Sequence, residues 1–254
     1  MELTLQVFLI VCPLIFLAGF IDSIAGGGGL ISLPAYMIAG LPPHFAMGTN
    51  KLSSVMGIMV AFMRYYRNKY ADILLCLPSI PAALIGSAMG SSFVLSVDEQ
   101  IIRWMLIAVI PVTAFFIFRK KNLDDTNSRL SRNKTVFYSV IISFIIGIYG
   151  GFAGPGTGTF LILLYNGVAK IDARTANGNA KLINFTVNLS ALIVFFVNGR
   201  VLVPLGLCAG LFNMLGAYIG SGLVIKKGSK IIRYALFIVL GLVFVKLIWD
   251  TIAI

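Results

Sequence analysis

One motif occurs twice in this chain: Ala46-Met47-Gly48-Thr49-Asn50-Lys51-Leu52 returns 130 residues later as Ala176-Asn177-Gly178-Asn179-Ala180-Lys181-Leu182. At the same offset, 21 of the 84 residues from Gly26 to Val109 are identical to their counterparts, without a gap. Apolar composition raises the number of chance matches, but it does not align lysine with lysine, Asn68 with Asn198 or Arg103 with Arg233. The sequence therefore predicts a tandem duplication of one structural unit.

The composition is that of a membrane protein. Of the 254 residues, 59% are hydrophobic and 11% are charged, whereas a soluble domain has about 25% charged residues. These proportions exclude a soluble enzyme, a disordered tail and a secreted disulfide scaffold. The three cysteines all lie within apolar stretches. We interpret them as packing residues and expect neither a disulfide nor a bound metal or cofactor.

The formal net charge of +11 comes from basic residues in short runs between the apolar stretches. In a soluble protein such an excess would suggest nucleic acid as a partner. Here the distribution matches the positive-inside rule, by which lysine and arginine collect in cytoplasmic loops. We therefore expect the lipid bilayer, and no nucleic acid, as the surroundings of this chain.

Eight apolar stretches approach the length of about 20 residues that a helix needs to cross the hydrocarbon core. They lie at about 5–24, 45–66, 72–95, 100–118, 134–153, 173–197, 202–224 and 231–250. Two shorter pieces, at about 30–41 and 159–169, each follow a glycine-rich break. The fold class that we predict is an all-α membrane protein, a helical bundle of about eight full transmembrane helices and two short broken helices.

The basic residues also predict how the two halves are oriented. The loop with Arg64, Arg67 and Lys69 is placed inside, and its counterpart in the second half has a single basic residue, Arg200. Loop 97–100 has no basic residue, whereas its counterpart at 226–230 has three lysines. Each repeat therefore crosses the membrane an odd number of times, and the repeats are inverted, an arrangement typical of secondary transporters. The predicted division is repeat 1 at 1–118, a cytoplasmic linker at 119–133 and inverted repeat 2 at 134–254, together one transport domain.

The glycine-rich breaks are the first candidate site. They read Ala25-Gly26-Gly27-Gly28-Gly29 and Ala153-Gly154-Pro155-Gly156-Thr157-Gly158. Glycine and proline end a helix, and the next helix begins with free backbone N–H groups and a positive dipole end that can hold an anion. We take Gly26, Gly28, Gly154 and Gly156 as candidate substrate-binding positions. A tight turn with close helix packing is the alternative.

Two lysines of the duplicated motif, Lys51 and Lys181, are predicted to lie inside the membrane. Burying a lysine there costs about 2.5 kcal/mol or more, so a lysine inside the membrane indicates a functional role by default. Snorkelling or a structural ion pair is the alternative. No acidic residue has a matching position in the other repeat, and we therefore favour an anionic ligand for both lysines.

A polar stripe accompanies Lys181, because Asn177, Asn184 and Asn188 share its helix face. Of these, Asn177 and Asn184, together with Asn179 and with Thr49 and Asn50 near Lys51, are candidates for substrate selectivity. Hydrogen bonding between helices explains such asparagines equally well.

Asp22 is a candidate for carrying a coupling ion or for pairing with a lysine, although a position in water at the interface is also open. The sequence contains no set of catalytic residues, so an enzyme is not expected.

The stretch Ala18-Gly19-Phe20-Ile21-Asp22-Ser23-Ile24-Ala25-Gly26-Gly27-Gly28-Gly29, followed by the duplicated motif, resembles the TauE/SafE sulfite-exporter family, in particular its YfcA-like branch of membrane transporters. The second half carries the matching Gly150-Gly151-Phe152-Ala153-Gly154-Pro155-Gly156. The resemblance covers nearly the whole chain. It implies a multi-pass protein of the bacterial or archaeal plasma membrane that moves small sulfur-containing anions, such as sulfite and short organosulfonates, outward.

The resulting hypothesis is a secondary transporter for a small anion that works by alternating access at the interface of the repeats. A passive anion channel and a transporter of a different small organic anion are the alternatives. A coupling ion, either proton or sodium, and a homodimer are left open by the sequence.

Overall fold

The computed structural model describes residues 4–102, 104–105 and 130–227. Every regular element of this part of the chain is a helix. The elements are α1 (Leu5–Ala25), α2 (Gly29–Ile38), α3 (Pro43–Arg67), α4 (Ile73–Cys76), α5 (Ser79–Leu95), α6 (Arg132–Phe152), α7 (Thr157–Gly167), α8 (Ala173–Val197) and α9 (Val203–Lys227). Residues 99–102 and 104–105 are also helical. The all-α class is thus confirmed for the described residues.

Seven of the predicted apolar stretches correspond closely to helices, whereas the stretch at 72–95 does not form one helix. It begins with the single turn α4, capped by Asp72, and continues as α5 after Pro78. Proline has no N–H to donate and crowds the preceding turn, so the helical hydrogen-bond ladder is interrupted there. The predicted helix at 231–250, most of the one at 100–118 and residues 119–129 of the linker lie outside the described residues.

Four of the described helices, α1, α6, α8 and α9, are long and apolar enough to cross a membrane. With 21 residues each, α1 and α6 are about 31 Å long, close to the roughly 30 Å of a hydrocarbon core. Helix α3 has 25 residues but is more polar, and its polar residues Thr49, Asn50 and Lys51 are buried.

Large apolar side chains cover the outside of the helices. On α9, Leu207, Leu211 and Leu215 recur every four residues and are about half exposed. The interior instead contains buried asparagines and two buried lysines. An apolar exterior around a polar interior is the distribution expected of a protein that faces lipid and encloses a polar path.

The most extensive helix contacts are formed between helices of different halves of the chain. Helix α1 packs along α9, and α5 packs along α6. Glycines permit the close approach, since a Cβ on Gly86 would collide with the Phe144 carbonyl oxygen, and one on Gly216 would collide with that of Phe16. Cys12 on α1 and Cys208 on α9 are likewise neighbours, with their Sγ atoms 3.7 Å apart as free thiols.

The duplicated motif also contacts the opposite half. A Cβ on Gly48 would collide with the carbonyl oxygen of Arg200, and one on Gly178 would collide with that of Tyr70. Each motif glycine therefore allows its helix to pack against the backbone that follows the equivalent helix. These reciprocal contacts accompany the packing of α3 against α8.

The two glycine-rich breaks have left-handed backbone at defined positions. Helix α1 ends where Gly26 adopts φ = 80°. Gly154 and Gly156 adopt φ = 88° and 79° between α6 and α7. Residues with a side chain rarely adopt this conformation, so glycine at these positions ends the helix.

Candidate functional site

The two breaks cross and contact each other through their backbones. The Thr159 N–H donates to the Gly26 carbonyl oxygen at 3.2 Å, and its hydroxyl donates to that of Ala25 at 2.9 Å. A Cβ on Gly26 would collide with the backbone of Gly158. The C-terminal end of α1 and the N-terminal end of α7 are therefore fixed against each other inside the protein.

A polar cavity of about 20 Å³ lies at this crossing. It is lined by Asp22, Gly26, Gly29, Asn50, Lys51, Ser54, Ile58, Gly154, Thr157, Gly158, Asn184 and Asn188. Both halves of the chain thus contribute to its wall. A space of this size holds about one water molecule, so a ligand of several heavy atoms requires the walls to move apart.

Lys51 is a buried positive charge in the wall of this cavity. Its residue is 2% exposed, and its Nζ donates to the Gly150 carbonyl oxygen at 2.7 Å. An ammonium group has three hydrogen-bond donors, and among the described residues Lys51 forms neither a second hydrogen bond nor an ion pair. With respect to the residues that the structure describes, Lys51 therefore has unused donors and an uncompensated charge.

Lys181 has different surroundings. Its Nζ donates to the Asp22 carbonyl oxygen and lies 3.4 Å from Asp22 Oδ2. The other carboxylate oxygen of Asp22 accepts from the Gly28 N–H at 3.2 Å. Lys181 is fully buried and does not line the cavity.

One expectation is therefore corrected, because Lys181 does have an acidic partner. For Asp22, pairing with a lysine was one of the candidate roles, and the structure shows this pair, with 14% of the Asp22 side chain exposed, in place of a position in water at the interface. The comparison of the two repeats could not identify which lysine pairs with Asp22, because the pair joins residues of different halves that are 159 positions apart.

Two asparagines direct donors towards the cavity. Asn188 Nδ2 donates to the side-chain and main-chain oxygens of Asn184 at 2.9 and 2.8 Å. This leaves Asn184 Nδ2 as a donor with no acceptor among the described residues. The hydroxyl of Ser54 donates to Asn50 Oδ1 at 3.4 Å, and Asn50 Nδ2 is left free in the same way.

Backbone N–H groups extend this set of donors. Gly29 is the first residue of α2 and Gly158 the second residue of α7. Both glycines line the cavity, and neither N–H has an acceptor in the described part of the chain. The first N–H groups of a helix have no partner within it and carry its positive dipole end. The cavity is thus rich in donors contributed by three side chains and two helix starts.

Besides Lys181, five of the predicted substrate-binding residues do not line the cavity: Thr49, Asn177, Asn179, Gly28 and Gly156. Thr49 Oγ1 accepts from the Leu202 N–H at 3.0 Å, and Asn179 Oδ1 accepts from the Asp72 N–H at 2.8 Å. Asn177 Nδ2 donates to the Ile24 carbonyl oxygen at 2.8 Å. These three side chains join helices to the opposite half, which was the alternative interpretation. The glycines act through the backbone, Gly28 by its hydrogen bond to Asp22 and Gly156 as the N-cap of α7.

Of the other predicted residues, Lys51, Asn50, Asn184, Gly26, Gly154 and Asp22 do line the cavity. The prediction omitted Gly29, Thr157 and Gly158, although all three belong to the glycine-rich breaks. It also omitted Ser54 and Ile58, which lie three and seven residues after Lys51 on α3, positions that share its helix face. Their spacing from Lys51 was the sequence feature from which both residues could have been predicted.

Replacing Thr49 with valine is expected to lower stability by about 1–2 kcal/mol, because the Leu202 N–H loses its acceptor. The binding of small anions should not change, since Thr49 is outside the cavity. Thr186→Val is a matched control, because that hydroxyl donates only within its own helix, to Leu182, and a smaller effect is expected. Thermal unfolding and a binding titration on each variant test this. Weaker binding by Thr49→Val at unchanged stability would contradict the assignment.

Comparison with known proteins covers most of the chain. The family described as Sulfite exporter TauE/SafE matches residues 11–247. A protein of Sinorhizobium sp., named probable membrane transporter protein ORF9, is 36% identical over 235 residues, which are 92% of this chain and 90% of that protein. The probable membrane transporter protein of Haemophilus influenzae is 33% identical, with 92% of both chains covered. The probable membrane transporter protein YfcA of Escherichia coli K12 is 35% identical, covering 92% of this chain and 87% of its own. No solved structure is significantly similar.

Proposed function

Because the chain belongs to the TauE/SafE sulfite exporter family, we propose that it exports a small anion by secondary transport and that its substrate is sulfite or a short organosulfonate. The relatives are named as membrane transporters, and this protein is likewise a multi-pass membrane transporter and not an enzyme. Our proposal concerns its cargo and the direction of transport.

The observation that carries the proposal is the buried ammonium group of Lys51 at a cavity with free hydrogen-bond donors. A buried charge without a partner is costly, and an anion at Lys51 would remove that cost. The free amide groups of Asn50 and Asn184 and the N–H groups of Gly29 and Gly158 can only donate, which suits the oxygens of a sulfite or sulfonate group. A cation in the cavity would be repelled by the positive charge of Lys51.

We also propose that the protein contains about eight full transmembrane helices in two inverted repeats. In support, each long helix contact joins one helix of the first half to one of the second half, since α1 packs on α9 and α5 packs on α6. The cavity likewise takes residues from both glycine-rich breaks. Movement of one repeat against the other would open the cavity to each side of the membrane in turn, as in other carriers with inverted repeats.

A location in the plasma membrane gives the export direction a driving force. A potential that is negative inside contributes about 2.3 kcal/mol per charge and 100 mV to the outward movement of an anion. A coupled proton or sodium ion would add to this force or oppose it, depending on its direction.

The test is the binding of salts to the purified protein, followed by transport in proteoliposomes. At a ligand concentration of about 100 times Kd, stability should rise by about 2.7 kcal/mol. We expect this rise with sodium sulfite or methanesulfonate and not with sodium chloride or choline chloride at equal ionic strength. Flux of labelled sulfite or sulfonate should then saturate. Stabilisation by cations alone, or flux that rises linearly with concentration as in a channel, would contradict the proposal.

A further inference from the structure

The two motif lysines make equivalent main-chain contacts. Lys51 Nζ donates to the Gly150 carbonyl oxygen, and Lys181 Nζ donates to that of Asp22. Gly150 follows Asp22 by 128 residues. The same spacing relates Phe16 to Phe144, whose carbonyl oxygens face the equivalent glycines Gly216 and Gly86. Positions 22 and 150 are therefore structural counterparts, although the ungapped sequence comparison does not pair them.

The equivalence ends at the side chains. Position 22 is an aspartate whose carboxylate lies 3.4 Å from Lys181, whereas position 150 is a glycine. The space for a side chain at Gly150 is already filled, because a Cβ there would lie 2.7 Å from Val187 Cγ1 and 2.9 Å from Thr157 Oγ1. Within the described part of the chain, Lys51 therefore has no acidic partner. It also lines the cavity, which Lys181 does not.

We propose that the substrate supplies to Lys51 the negative charge that Asp22 supplies to Lys181, and that the site selects anions with a single charge. This inference rests on the proposed function and specifies its substrate class. Lys51, Lys181 and Asp22 sum to one net positive charge, which a monoanion such as a sulfonate neutralises. A dianion such as sulfate brings a second negative charge close to Asp22, which also lines the cavity. Lys181 is then a positioning residue that holds Asp22 at the end of α1, not a substrate ligand.

The test measures binding of methanesulfonate and sulfate to four forms of the full-length protein: the wild type, Lys181→Met, Asp22→Asn and the double variant. In Lys181→Met, Asp22 loses its partner and repels anions, so methanesulfonate binding should weaken by about tenfold or more. Adding Asp22→Asn removes that repulsion, and the double variant should recover most of the affinity. Asp22→Asn alone leaves both lysines charged, so sulfate should gain about tenfold relative to methanesulfonate.

Loss of binding in the double variant equal to that in Lys181→Met, with both proteins folded by size-exclusion chromatography, would identify Lys181 as a substrate ligand and overturn the inference. If the double variant does not fold, the anion preference of Asp22→Asn decides, and an unchanged preference is the contradicting result. A wild type that binds neither of these anions nor sulfite would overturn the proposed function itself. A wild type that prefers sulfate would overturn only the inference of a single charge.

Discussion

Replacing Lys51 with methionine is expected to abolish anion binding and transport. Lys51 is the only charge lining the cavity that has no partner among the described residues. Removing one partner of a buried charge pair costs about 2–5 kcal/mol, which corresponds to a loss of affinity from about 30-fold to several thousand-fold. Methionine keeps the length and most of the volume of the lysine side chain, so the charge is the main change. Titration of the purified protein and flux in proteoliposomes measure the loss.

The free energy of unfolding separates this effect from misfolding. Because Lys51 is a buried charge without a partner, Lys51→Met should be as stable as the wild type or more stable. Lys134→Met is the matched control: it makes the same substitution at an exposed position in the first turn of α6 and should transport normally. Saturable uptake by Lys51→Met with an unchanged KM would show that Lys51 does not bind the substrate.

Replacing Gly26 with alanine is expected to cause the largest loss of stability. Two costs add at this position. A left-handed conformation costs an alanine about 1–2 kcal/mol, and Gly26 has φ = 80°. The added Cβ would also collide with the backbone of Gly158, and such overpacking costs about 1–3 kcal/mol or more because the backbone cannot rotate away. We expect a total of about 2–5 kcal/mol.

Gly199 provides the control for this prediction. It also has a left-handed backbone, with φ = 65°, but nothing lies within 4 Å of an added Cβ. Gly199→Ala should therefore show the conformational cost alone, about 1–2 kcal/mol. Thermal unfolding of both variants gives the difference, at roughly 2–4 °C for each kcal/mol in a protein of this size. Equal losses in the two variants would mean that the crossing of the breaks is not tightly packed.

Most of the helical architecture was predictable from local features. Stretches of apolar residues predicted α1, α6, α8 and α9 to within a few residues, because lipid admits only chain segments whose backbone hydrogen bonds are satisfied internally. The glycines at 26, 154 and 156 predicted the breaks, because they are needed where the backbone turns left-handed. The single helix predicted at 72–95 is wrong, because Pro78 interrupts it; proline is itself a local signal for a helix break.

The candidate site was predictable only in part. Residue type indicated Lys51, Asn50, Asn184 and the glycine-rich breaks, because a polar group inside a membrane needs a partner or a function. Residue type could not separate Thr49, which accepts a hydrogen bond from the Leu202 N–H, from Asn50, its neighbour at the cavity. Adjacent residues on a helix point about 100° apart, and the packing of the helix determines which of them faces the cavity.

Composition, hydropathy and the duplicated motif were thus sufficient for an all-helical membrane protein with two breaks and two buried lysines. The different surroundings of those lysines required the folded chain. Asp22 neutralises Lys181 from 159 residues away. Lys51 contacts the Gly150 backbone from 99 residues away and has no carboxylate partner among the residues described. Local sequence determines where each helix begins and ends, because its hydrogen bonds form between near neighbours. The partner of a buried charge depends on how distant helices pack, and a motif that is the same in both halves contains no information about that difference.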